Sequence, residues 1–267
     1  MPDKRVVVFV DGDWLAVRAA FGSANTWDFK DGCDPFTVWN TGKACHDFEC
    51  KIDGLVDELG ADDFIISFSS PVNFRKEIDP SYKANRDPEK KPPNLGDIKK
   101  HCENKYYCLE IFGIEADDVL GIYCSDKQPH EIRIMYGLDK DFQTVPAVQY
   151  RPKFMKAPAV LLDQTELEAD LFHAYQTLVG DTVDGYAGLK GCGPKGAQKI
   201  LDGCENVTQI WTAVRAAYAK KKVSDDICLI QARLSRILRS GDFDFATDKP
   251  ILFNFPENTK PQEENEK

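Results

Sequence analysis

Three short runs of apolar residues punctuate the first half of the chain. Residues 5–10 read Arg-Val-Val-Val-Phe-Val, residues 63–68 Asp-Phe-Ile-Ile-Ser-Phe, and residues 131–136 Glu-Ile-Arg-Ile-Met-Tyr. Runs this short and this rich in β-branched and aromatic residues predict strands buried on both faces. Each stops in turn chemistry: Asp11-Gly12-Asp13, Ser69-Ser70-Pro71 and Gly137-Leu138-Asp139. Between them, residues 43–59 and 94–110 mix apolar and charged positions as helices do, and 116–124 is a short stretch apolar on one face. Alternating strand and helix predict an α/β domain around a mostly parallel sheet with flanking helices.

From about residue 164 the strand pattern stops. Residues 165–179, 195–201, 207–219 and 224–238 read as helices, and Thr165 with Glu168 forms a capping box. The expected organisation is therefore an α/β domain over 1–163, a helical subdomain over 164–255, and a polar tail over 256–267 too hydrophilic to order. Residues 71–93 stand apart, with Pro71, Pro80, Pro88, Pro92 and Pro93 among many charges. They predict a loop or arch, continuing to about residue 105, that orders on binding.

Composition narrows the class. With 42% apolar and 29% charged residues, 267 residues make one large domain or a main domain with a smaller one attached. No apolar run approaches the ~18 residues that span a bilayer. Met1-Pro2-Asp3-Lys4-Arg5 leads straight into the first strand, so a cytoplasmic location and no membrane partner are expected. The nine cysteines include no Cys-x-x-Cys pair, and Cys45-His46 with Cys50 fits no standard zinc spacing; reduced thiols are expected. The net charge of −10 argues against a nucleic-acid partner until its distribution is considered. Between residues 73 and 105, nine Lys or Arg stand against six Asp or Glu.

In an open parallel sheet, ligands gather outside the carboxyl ends of the strands. Asp11 ends the first strand, and Asp139 and Asp141 follow the third. Glu115, Asp117 and Asp118 fall in the first turn of the helix after Gly113. Asp181 and Asp184 join a helix to a glycine-rich loop. Any one segment could be a helix cap or a turn. Eight carboxylates at such positions would repel one another unless cations sat among them, and oxygen ligands without His or Cys select Mg2+, with Mn2+ as a substitute. Two such ions together can promote phosphodiester hydrolysis.

Residues 188–201, Gly-Leu-Lys-Gly-Cys-Gly-Pro-Lys-Gly-Ala-Gln-Lys-Ile-Leu, carry a second signal. Gly191, Gly193 and Gly196 let a phosphate approach the backbone, Pro194 suits the first position of a helix, and Lys190, Lys195 and Lys199 add charge. The pattern predicts a helix–hairpin–helix element that grips a DNA backbone without reading sequence.

Taken in order, residues 10–13 (Val-Asp-Gly-Asp), 74–86 (Phe-Arg-Lys-Glu-Ile-Asp-Pro-Ser-Tyr-Lys-Ala-Asn-Arg), 114–119 (Ile-Glu-Ala-Asp-Asp-Val), 138–142 (Leu-Asp-Lys-Asp-Phe) and 179–185 (Val-Gly-Asp-Thr-Val-Asp-Gly) running into the hairpin resemble the flap endonuclease and 5′→3′ exonuclease family. The likeness is to its bacteriophage exonucleases and to the 5′-nuclease domain of bacterial DNA polymerase I. It implies a PIN-like sheet with a helix–hairpin–helix subdomain, and a two-metal Mg2+ site formed by Asp11, Glu115, Asp117, Asp118, Asp139, Asp141, Asp181 and Asp184. It also implies an active-site lysine at Lys83, acting with Asp11, Asp139 and Asp141. Arg75, Lys76 and Arg86 would contact DNA near the arch, Tyr82 would stack on a terminal base, and the hairpin, with K+ on its backbone carbonyls, would hold duplex DNA. The expected substrates are duplex 5′ ends, flaps and RNA–DNA primers during replication, cut by a monomer. The family pattern has one more acid after the second strand, where this chain has Ser69 and Ser70, so weaker binding at one cation is expected. Two other readings share parts of this pattern: a PIN-type RNase, and a DNA-end-binding module with weakened catalysis.

Overall fold

The structure, a computed structural model, describes residues 4–30, 32, 34–257 and 259. The predicted tail lies outside the described residues apart from 256, 257 and 259. The chain opens with strand β1 (Arg5–Asp11) and helix α1 (Gly12–Ser23). A hairpin of β2 (Ala24–Trp27) and β3 (Phe36–Trp39) then leads to α2 (Thr41–Leu59) and β4 (Asp63–Ser67). The proline-rich stretch contains only the short α3 (Arg75–Ile78) and a 3-10 turn, Pro88–Lys90, before α4 (Leu95–Lys105). Next come β5 (Cys108–Leu109), α5 (Ala116–Ser125), β6 (Glu131–Tyr136), β7 (Val148–Arg151) and β8 (Val160–Asp163).

These strands form one sheet in the order β5-β4-β1-β6-β7-β8, parallel except for β8. Inside it, β1 is paired on both sides, to β4 and to β6. Its alternate residues enter separate cores, as the predicted two-faced burial requires. Val8 and Val10 pack with Leu15, Phe48, Ile52 and Ile98 from α1, α2 and α4. Val7 and Phe9 pack with Leu120 and Cys124 of α5 and with Phe142. Burying each such aliphatic or aromatic side chain contributes about 1.5–3 kcal/mol.

The second half is helical: α6 (Glu166–Val179), α7 (Pro194–Leu201), α8 (Val207–Lys220) and α9 (Asp225–Ser235). Their apolar faces meet around the fully buried Trp211 and Tyr218. Thr165 caps α6 as expected: its Oγ1 accepts from the Glu168 N–H at 3.3 Å, and its own N–H donates to Glu168 Oε2 at 2.9 Å. One small strand pair, β9 (Phe243–Asp244) with β10 (Lys249–Pro250), follows where no strand is predicted. The helix expected over 94–110 also ends early, at Lys105, because Cys108 and Leu109 pair with β4. No helix among the described residues is long and apolar enough to cross a membrane.

Candidate active site

The carboxyl ends of β1 and β6 lie side by side, which brings their acids together. Asp11 ends β1 and caps α1, its Oδ1 accepting from the Trp14 N–H at 3.0 Å. Asp139 and Asp141 follow β6 after Gly137, where a side chain would meet the Phe142 ring at 2.8 Å and the Asp11 Cβ at 3.3 Å. Only glycine lets the two strand ends approach so closely. Asp117, in the first turn of α5, faces Asp11 and Asp139.

These four aspartates are mutually repelling. Burial, then Asp13 and Asp139, push Asp11 up to about 7, although the Trp14 N–H opposes the shift. Burial and Asp139 carry Asp141 to about 7. Burial, Asp11 and Asp139 hold Asp117 well above the carboxylate range, and burial with Asp184 raises Asp139. In the folded chain, Asp11 and Asp141 thus keep protons that an unfolded chain loses above about 3.8. The stability of their protonated forms is present below that value and lost as pH rises through about 7. The melting temperature in EDTA should therefore fall between about pH 5 and about pH 8, and adding Mn2+ at the higher pH should raise it. A flat pH profile with no response to Mn2+ in thermal denaturation would contradict this.

The other four acids are already engaged with cationic side chains. Glu115 accepts from Lys83 Nζ at 2.5 Å and Arg75 Nη1 at 3.3 Å, and from the Tyr82 hydroxyl at 3.0 Å. Burial alone would raise it, but Lys83 and Arg75 prevail and hold it down to about 2. Asp184 pairs with Arg86 at 2.6 Å and with Lys83 at 3.7 Å. Asp181 pairs with Lys140 at 2.6 Å and accepts from the Val183 N–H at 2.7 Å.

Asp118 departs from its expected role. It is fully buried, and Arg75 donates to both of its oxygens at 2.7 Å. The N–H groups of Leu238 and Glu115 donate to the same oxygens at 3.0 and 3.1 Å. With every direction filled, Asp118 is a structural ion-pair partner rather than a cation ligand. One residue is about 100° of helical turn, which sends Asp117 toward the crevice and Asp118 into the interior.

Two expected DNA contacts are corrected in the same way. Arg75 is 3% exposed and Nη2 also donates to the Arg236 carbonyl, so it faces the protein and not DNA. Tyr82 is 2% exposed, with its hydroxyl shared between Glu115 and Asp184, so its ring presents no face for a base to stack on. The segment expected to order on binding is thus already folded onto the acids at these residues. Lys76 and Arg86 remain exposed. Lys83 sits in the left-handed region at φ 54°, held by its N–H donating to the Asp184 carbonyl at 2.8 Å. Burial pulls its ammonium down, but Glu115 and Asp184 outweigh that and keep it above its ordinary value.

At the serine position, both hydroxyls are committed to backbone. Ser69 Oγ accepts from the Ala116 N–H at 3.0 Å, and Ser70 Oγ from the N–H groups of Val72 and Gly113 at 3.2 Å each. Asp13 turns to the Ser69 N–H at 2.9 Å. The hydroxyls therefore support the backbone of this loop.

The hairpin follows α6 directly. Gly180 and Gly188 pack backbone to backbone, and a Cβ on Gly180 would meet the Ala187 carbonyl carbon at 2.4 Å. Lys190, Gly191, Gly193, Lys195, Gly196 and Lys199 are all exposed, and Pro194 opens α7 as predicted. Two further residues engage the acids of the site. Gln176, on α6, donates to Asp141 Oδ1; the lysine of the 138–142 block, Lys140, bonds Asp181. A lysine between two acids was a readable signal, whereas a glutamine on a helix was not.

Whether the acids fit a divalent cation turns on their chemistry. Among the described residues, no three His, Cys, Asp or Glu side chains are drawn together tightly enough to grip one ion. The four repelling aspartates nonetheless offer hard oxygen donors whose mutual repulsion a cation would relieve, and on that ground they fit.

The family model described as the 5′–3′ exonuclease N-terminal resolvase-like domain matches residues 6–174. The chain belongs to the 5′–3′ exonuclease family. It is 26% identical over 291 residues to the exonuclease of Escherichia phage T7, covering 93% of both chains. It is 30% identical to the thermostable DNA polymerase I of Thermus aquaticus, covering 98% of this chain but 31% of the polymerase. The crystal structure of the T5 D15 protein with metal ions superposes with a TM-score of 0.63 at 21% identity, over 86% of this chain and 89% of that one. The fold of this 5′–3′ exonuclease is therefore the resolvase- or PIN-like sheet expected from its sequence.

Proposed function

We propose that this exonuclease is Mg2+-dependent, acts as a monomer on the 5′ ends of duplex DNA, and also removes flaps and RNA primers. The observation that carries the reading is the set of four repelling aspartates, Asp11, Asp139 and Asp141 at the carboxyl ends of β1 and β6 with Asp117 from α5, on a chain whose hairpin exposes Lys190, Lys195 and Lys199. Asp11, Asp117, Asp139 and Asp141 would hold the divalent cations, with Mn2+ able to replace Mg2+. A cation there supplies Lewis-acid activation of water and offsets charge on the phosphodiester.

The chain's own groups do the rest. Lys83, anchored by Glu115, presents a positive charge to the scissile phosphate. Arg86 and Lys76 attract the strand, and Asp181 and Asp184 fix Lys140 and Arg86 around the crevice. The hairpin holds the duplex backbone through Gly191, Gly193, Gly196 and the lysines, and its carbonyls suit K+. The organisation that follows is a nuclease domain over 1–163 and a DNA-gripping subdomain over 164–255. Because these contacts are mostly to phosphate, affinity should fall steeply with salt.

The test compares duplex DNA, the same duplex with nuclease-resistant linkages at its 5′ ends, a 5′ flap, and single-stranded RNA, each with Mg2+. The reading expects cleavage of the duplex and the flap, and strong protection by blocked 5′ ends. Equal cleavage of blocked and open duplex, or a preference for single-stranded RNA, would overturn it.

A further inference from the structure

We infer that Gln176 and Tyr186 form a positioning pair for Asp141, and so set how tightly the site takes its divalent cation. This rests on the reading of Asp141 as a cation ligand. Gln176 is 2% exposed and Tyr186 is 3% exposed. The Gln176 amide Nε2 donates to Asp141 Oδ1, and the Tyr186 hydroxyl donates to Gln176 Oε1 at 3.3 Å. With Asp141 ionised, as a cation requires, turning the amide over would set its oxygen against a carboxylate oxygen. The tyrosine thus fixes the glutamine, and the glutamine fixes one carboxylate oxygen. The other oxygen is left for a ligand.

The anchor is rigid for reasons outside the pair. Gln176 lies in the last turn of α6, where its carbonyl accepts from the Gly180 N–H at 2.8 Å. One residue beyond it, the Thr177 carbonyl accepts from the Tyr218 hydroxyl at 2.7 Å, tying α6 to α8. Tyr186 is pinned across the turn, its N–H donating to the Asp181 carbonyl at 3.0 Å and its carbonyl accepting from the Asp181 N–H at 2.8 Å. The Leu189 N–H donates to the Leu178 carbonyl at 2.9 Å. The same helix end that carries the DNA-gripping hairpin therefore orients an acid that lies beyond β6. Groups that orient ligands from behind change metal affinity by about 10–100-fold when removed.

The experiment uses the full chain and Mn2+. Free Mn2+ is followed by electron paramagnetic resonance, and duplex cleavage is measured across the same Mn2+ range. For Gln176→Ala, the half-saturating Mn2+ concentration should rise about 10-fold or more in both measurements. Duplex affinity in EDTA should stay unchanged. Tyr186→Phe keeps the ring and the fold, and should shift Mn2+ binding less, in the same direction. Its shift should vanish when Gln176 is already alanine. Unchanged Mn2+ binding in both variants beside normal wild-type binding would overturn the positioning role alone. If the wild-type chain showed no saturable Mn2+ binding, the cation-site reading would fall and this inference with it.

Discussion

Asp11→Asn should lower the rate of duplex cleavage on the order of 10³-fold at saturating Mg2+, the scale of losing one group that organises charge at a reacting phosphate. Duplex affinity measured in EDTA should be unchanged or slightly higher. The reason lies in its position. Asp11 ends the central strand, faces Asp117 and Asp139, and is raised to about 7 by burial and by its acidic neighbours. Asparagine keeps the cap on Trp14, because its side-chain oxygen can still accept the 3.0 Å bond. The fold should therefore survive, and the lost rate should report the chemistry. A variant that cleaves at near the wild-type rate would remove Asp11 from the centre.

Breaking the Arg75–Asp118 pair should have the opposite signature. Both partners are buried, and without Asp118 the Arg75 guanidinium keeps only the longer 3.3 Å ionic contact to Glu115, a cost of about 3–5 kcal/mol. Asp118→Ala should then lower the melting temperature by on the order of 10 °C. The loss should appear in EDTA as much as in Mg2+, because Asp118 binds no cation in this account. The double variant Arg75→Met with Asp118→Leu removes both charges and should recover much of the stability. If Asp118→Ala left the melting temperature intact but weakened Mn2+ binding, Asp118 would be a ligand after all. The pair also joins three distant segments, because Arg75 reaches the Arg236 carbonyl and Asp118 takes the Leu238 N–H. Its loss should therefore loosen the 74–83 segment, and with it the hold of Lys83 on Glu115.

The contrast between these two residues shows what the sequence could tell. A β-branched run followed by an acid announces a buried strand and a carboxylate at its carboxyl end, so Asp11 and Asp139 were legible. The capping box at Thr165 and the proline after Gly193 also announced their helices. Asp117 and Asp118 are chemically identical neighbours in one motif, and only the direction of α5 separates a crevice acid from a core acid. Arg75 and Tyr82 read as a basic, aromatic arch because their partners lie 33 to 161 residues away. Local pattern carries no information about such pairings. The β2–β3 hairpin and β7–β8 carry no local signal for a related reason: strands of four residues with polar members become strands only when a neighbour supplies the ladder.

The central claim is that Asp11, Asp117, Asp139 and Asp141 form the cation-holding centre. Buried aspartates that keep their protons toward neutral pH must release them when a cation binds. Calorimetric titration of the protein with Mn2+ near pH 6.5, repeated in buffers of different ionisation enthalpy, measures that release directly. The account predicts saturable binding with net proton release, and loss of both in an Asp11→Asn, Asp139→Asn double variant. Saturable binding without proton release, or binding and release unchanged in the double variant, would contradict it.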